Sequence, residues 1–109
     1  SNLRLARAAL TRLGIWDEVS DRVVTGDQVV EPKPAPEIFF EAAARLNVSP
    51  TACLVIEDST HGCVAGKRAG ATVLVVPEVG VSTEGLFGEA NYIRARLEPD
   101  FIESLMVGA

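Results

Sequence analysis

Basic residues are the scarce charge in this 109-residue chain: 10 Lys and Arg stand against 15 Asp and Glu, a formal net charge of −5. Nucleic-acid sites need a basic face, so this balance argues against a phosphate-backbone binder. Long apolar runs are missing as well. No stretch approaches the ~20 residues that span a bilayer, which argues against a membrane protein. The opening Ser1-Asn2-Leu3-Arg4-Leu5-Ala6-Arg7 lacks the charged-then-apolar layout of a secretion signal. Two cysteines, Cys53 and Cys63, are too few for a disulfide scaffold and lack metal-ligand spacing. Each lies in an apolar run and reads as a buried small hydrophobe, so a reducing cytoplasm is the expected setting. There is no internal repeat and no low-complexity tract. What is present, 48% hydrophobic against 23% charged residues, is the composition of a globular chain of one domain.

Periodicity orders the elements. Leu3, Ala6, Leu10 and Leu13 fall three and four apart, which predicts a helix with Asn2 as its cap and Gly14 as a left-handed stop. A short strand is expected at Arg22-Val23-Val24-Thr25. The prolines of Lys33-Pro34-Ala35-Pro36 forbid regular helix and hold Lys33 extended. A second helix runs from Glu37 to Leu46, ended by Asn47. Cys53-Leu54-Val55-Ile56 and Thr72-Val73-Leu74-Val75-Val76 are continuous apolar runs, the pattern of strands covered on both faces. Between them a helix ends near Gly70. Residues 78–90 read as a loop, Tyr92-Ile93 as a short edge strand, and Glu98 to Met106 as a closing helix. Strands alternating with helices predict an α/β fold with a parallel sheet.

In such sheets ligands sit beyond the carboxyl ends of the strands. Glu57 and Asp58 follow the run ending at Ile56 and fall on that edge. Adjacent carboxylates repel unless a cation or donors neutralise them. Magnesium, which takes oxygen ligands, would do so; the alternative is that Asp58 or Ser59 caps the next helix while Glu57 is solvated. Lys33 could aim its ammonium across the same crevice and offset phosphoryl charge, or be a solvated loop lysine. Ser59 and Thr60 could donate hydroxyls to a phosphate, or cap the helix. His61 reads as a surface or hydrogen-bonded helix-start residue rather than a general base. Gly62, Gly66 and Gly70 recur on one helix face and suit close packing of helix on sheet. Trp16 reads as core or interface.

The ordered segments Lys33-Pro34-Ala35-Pro36-Glu37-Ile38-Phe39, Val55-Ile56-Glu57-Asp58-Ser59 and Gly62 through Ala69-Gly70 resemble the haloacid dehalogenase-like (HAD) superfamily. The branch they are most similar to is that of phosphatases and phosphosugar mutases such as beta-phosphoglucomutase. The resemblance implies a Rossmann-like parallel sheet with flanking helices and magnesium as cofactor. It implies that Lys33 stabilises an aspartyl-phosphate intermediate. Asp58 would ligate the metal, with Glu57 a second ligand or its hydrogen-bonding neighbour. Ser1-Asn2 resembles the tail of the phosphate-binding serine/threonine motif, and Ser59 is a further substrate-binding candidate. Dehalogenases carry Ser-Ser-Asn where this chain has Ile56-Glu57-Asp58-Ser59, which favours phosphate chemistry.

One departure shapes the expectation. The family's Asp-x-Asp strand, whose first aspartate is the nucleophile, has no counterpart here, since no Asp-x-Asp occurs in the chain. Nor has the helical cap domain. Residues 1–109 are therefore expected to be a single incomplete HAD-like core domain, the C-terminal half of a longer enzyme. The family's sheet order places the two missing strands between the one at Val23-Val24 and the one at Cys53 to Ile56. Either those two close up beside each other, or another chain fills the gap, so self-association is expected. The expected parent is a magnesium-dependent phosphohydrolase of a small phosphorylated metabolite, with the chain inactive alone. A phosphosugar mutase and a non-catalytic binding domain are the alternatives.

Overall fold

The computed structural model describes residues 2–78 and 88–107. Helix α1 (Leu3–Arg12) begins where expected: Asn2 is extended, and its side chain accepts from the Leu5 N–H at 2.8 Å. Gly14, at φ 78°, turns the chain away. A four-residue helix, α2 (Trp16–Val19), follows, with Trp16 half-buried beneath the Arg7 guanidinium, 5.4 Å from the ring centroid.

Residues 22–25 are not a strand. Ser20–Arg22 is a turn of 3-10 helix and Gly26–Gln28 another, joined by an extended segment with no ladder. The physical reason is that its backbone groups go elsewhere. The Val23 carbonyl accepts from Arg45 Nη1 at 2.6 Å, and Thr25 caps the second turn reciprocally with Gln28. The segment therefore does not close up beside the sheet.

Helix α3 (Glu37–Leu46) ends at Asn47 in the left-handed conformation, φ 58°, which asparagine tolerates better than most residues. Strand β1 (Leu54–Glu57) leads through Ser59 into α4 (Thr60–Ala69), which Gly70 stops at φ 89°. Strand β2 (Thr72–Val75) then pairs parallel to β1, with Val55 opposite Val73 and Glu57 opposite Val75. The short β3 (Tyr92–Ile93) adds to the other side of β2, also parallel. Helix α5 (Pro99–Val107) closes the described chain, starting and ending one residue later than the expected Glu98 to Met106. Most of the expected 78–90 loop, residues 79–87, lies outside the described residues.

The sheet order β1-β2-β3 makes β2 central. Helix α4 lies close on one face because Gly66 has no side chain: a Cβ there would come 2.8 Å from Val73 Cγ2 and 3.2 Å from Val55 Cγ1. The core gathers Val55, Cys63, Ala71, Val73 and Val75, with Phe39 of α3 against it. The other sheet face meets α5, where Leu54, Ile56, Tyr92, Ile102 and Leu105 border a hollow of about 550 Å³. The expectation that β1 is covered on both faces is thus corrected: Ile56 borders this open hollow and is 44% exposed, and nothing among the described residues pairs with the outer edge of β1. Cys53, just before it, is only half-buried, and its thiol donates to the Ser49 carbonyl at 3.4 Å.

Candidate functional site

Glu57 is the last residue of β1, so the strand carries its carboxylate to the carboxyl edge of the sheet. Lys33 reaches the same place from the loop before α3. Its Nζ lies 2.7 Å from Glu57 Oε1 and 3.0 Å from Oε2, a charge-assisted pair that uses both oxygens. The Glu57 side chain is 8% exposed and that of Lys33 34%, so the pair is half-buried rather than a solvated surface contact. Lys33 Nζ also stands 5.3 Å from the centre of the Phe39 ring. Its loop is fastened on both flanks. The Glu37 carboxylate accepts from the N–H groups of Val30 and Glu31, and Arg68 of α4 donates to the Pro34 carbonyl at 3.3 Å.

Ser59 is the residue that caps α4. Its Oγ accepts from the Gly62 N–H at 3.0 Å at the start of α4. Asp58 does not cap, and Glu57 is not solvated. Asp58 is exposed and has no polar partner among the described residues; it borders a hollow of about 270 Å³ with Ile56, Glu57, Val76 and Leu97. With Glu57 engaged by Lys33, Asp58 is the acid of the pair whose oxygens are open to a hard cation. A single such donor fits magnesium only as part of a larger set, because that ion keeps near-octahedral oxygen coordination. Among the described residues no three His, Cys, Asp or Glu side chains converge.

Ser1 lies outside the described residues. Asn2 caps α1, and the same helix start is held by Asp27, whose two oxygens lie 3.2 and 3.3 Å from the Leu3 N–H. The Thr25 hydroxyl donates to Asp27 and, with the Leu3 N–H, holds that carboxyl below its ordinary value. His61 is exposed on α4. Cys63 is buried, which pushes its thiol up and leaves it a neutral core residue rather than a nucleophile.

Two of these contacts are not legible in the sequence. Asp27 lies 24 residues from Leu3 and carried no local signal. Gly62 was read only as part of a packing stripe. A Cβ at Gly62 would overlap the Glu57 carboxylate, so this glycine vacates the volume that the acid fills.

Comparison with known proteins agrees with this architecture. The model of the haloacid dehalogenase-like hydrolases matches residues 1–70. The chain is 48% identical over 68 residues to the bifunctional riboflavin kinase/FMN phosphatase of Arabidopsis thaliana, covering 62% of this chain and 18% of that protein. It is 41% identical over 70 residues to the fructose-1-phosphate phosphatase YqaB of Escherichia coli, covering 64% and 37% respectively. In fold it is similar to a haloacid dehalogenase-like protein of Agrobacterium tumefaciens, with a TM-score of 0.80 at 24% identity over 96% of this chain and 51% of the other. The chain thus spans well under half the length of both curated relatives. With three ordered motifs, a parallel Rossmann-type sheet and a lysine–acid pair on its carboxyl edge, the chain belongs to the haloacid dehalogenase-like hydrolases.

Proposed function

We propose that residues 1–109 are the C-terminal part of the core of a magnesium-dependent phosphohydrolase that acts on a small phosphomonoester. The observation that carries this reading is the meeting of Lys33 and Glu57 at the end of β1, with the open carboxylate of Asp58 next along the chain. The phosphatases among its relatives support the same reaction class. Magnesium, when bound, would neutralise charge on the phosphoryl group. Asp58 would supply one of its oxygen ligands. Glu57 orients Lys33 and, because each of its oxygens keeps a second lone pair, is the further candidate ligand beside Asp58. The Lys33 ammonium offsets charge on the transferring group.

The nucleophile is an aspartate supplied from outside this chain. It attacks phosphorus, the ester P–O bond breaks as the leaving alkoxide takes a proton, and water then hydrolyses the aspartyl phosphate. Their resemblance to the tail of the phosphate-binding serine/threonine motif makes Ser1 and Asn2 candidates for phosphate binding, and Ser59 serves α4 as its cap. The 109 residues alone are inactive. In the full-length protein, phosphate release from a generic ester should require magnesium, and Asp58→Asn should lower kcat by at least about 100-fold. Unchanged turnover in that variant removes the assignment.

A further inference from the structure

We infer that Gly62 is a positioning residue for the lysine–acid pair: the absence of a side chain there seats the Glu57 carboxylate, and the seat fixes where Lys33 is held. Three observations converge. A Cβ built on Gly62 would overlap Glu57 Cδ and both carboxylate oxygens, so the acid occupies the volume that any other residue would take. The Gly62 backbone is held in the first turn of α4, where the residue is buried and its N–H donates to Ser59 Oγ at 3.0 Å, so the flexible Glu57 side chain is the group that must give way. Glu57 in turn holds Lys33 through both its oxygens.

The overlap differs in kind from that at Gly66. There the neighbours are the apolar side chains of Val73 and Val55, and the consequence is packing. At Gly62 the neighbour is a charged group, and the consequence is the place of a cation. The inference deepens the phosphohydrolase reading and rests on it for its significance, but the geometry it describes stands without turnover.

The chain offers a direct readout, because Lys33 and Lys67 are its only lysines. Limited acylation of the 109-residue chain, followed by peptide mass spectrometry, gives the Lys33 rate with Lys67 as internal reference. Gly62→Ala should raise the Lys33/Lys67 ratio by about tenfold, the scale expected when a charge-assisted hydrogen-bond pair is lost. Glu57→Gln should raise it in the same direction. In the Glu57→Asp background, whose shorter acid withdraws from the Cβ, Gly62→Ala should raise it far less.

Thermal melts supply the second arm. Gly62→Ala should lower Tm in the wild-type background and much less in Glu57→Ala, where the overlap is gone. A folded Gly62→Ala chain with an unchanged Lys33 ratio overturns the inference. So does an equal loss of Tm, or loss of folding, in both backgrounds, because the obstruction would then lie elsewhere. Neither measurement involves phosphate release, so the inference and the phosphohydrolase reading can fail separately.

Discussion

Strands β1 and β2 have nearly the same amino-acid character, Leu-Val-Ile-Glu against Thr-Val-Leu-Val, yet they live in different surroundings. In β2, Val73, Leu74 and Val75 are fully buried, paired on both edges and covered on both faces. In β1, Val55 is buried against α4 while Ile56 is 44% exposed, and the outer edge carries no partner among the described residues. An apolar run of this type specifies a strand that can be buried. Neighbours decide whether it is. The same contrast separates the stable half of the molecule from its chemical half, since the candidate site grows from the end of the edge strand and not from the central one.

Truncation of matched side chains sharpens that comparison most strongly. Val73→Ala removes two methyl-sized groups from a closed core and should cost about 2–3 kcal/mol in denaturant unfolding. Ile56→Ala should cost under about 1 kcal/mol, because much of that side chain already faces water. Equal costs would mean that the outer face of β1 is covered in solution. Such cover could come from a second copy of the chain, because an unpaired apolar edge is a template for strand pairing. We expect concentration-dependent self-association of the 109 residues in sedimentation velocity, and a shift toward monomer in Ile56→Lys. A monodisperse wild-type monomer would break that expectation and leave the edge simply solvated.

The smallest expected effect lies at the start of α1, which Asp27 holds. The Asp27 carboxyl is kept below the ordinary 3.8, chiefly by the Thr25 hydroxyl; desolvation opposes this and the Leu3 N–H adds to it. A depressed carboxyl contributes stability that is present above the unfolded value and fades as pH falls through the folded one. The Tm advantage of the wild type over Asp27→Asn should therefore be full at pH 5 and above and shrink as pH drops below 3.8. The change should amount to a few degrees at most, the group being at the surface. A pH-independent difference would show that the charge of Asp27 does not serve the helix.

Much of this arrangement was legible residue by residue. Asn2 and Gly14 bracket α1, Asn47 ends α3, and Ser59 and Gly70 bracket α4, as their side-chain and backbone preferences imply. The parallel pairing of β1 with β2 followed from two apolar runs separated by a helix. The Val23-Val24-Thr25 segment misled because β-branched residues mark a chain that can extend, not one that has a partner to extend against. That Lys33 and the Glu57-Asp58 pair share one crevice is legible in the order of the segments, but that Lys33 takes both oxygens of Glu57, across 24 positions, is not. Gly62 was noticed for its spacing and not for what stands opposite it.

By itself the sequence determined where α1, α3 and α4 start and stop, that the two continuous apolar runs become paired strands, and that an acid pair follows the first of them. Those outcomes depend on caps, turns and periodicities that act within about one helical turn of the chain. Tertiary structure alone decided which acid Lys33 holds, which glycine makes room for that acid, and which strand keeps a bare edge. Such choices are made by groups far apart in the chain that compete for one volume or one hydrogen bond, and that competition begins only when folding brings them together.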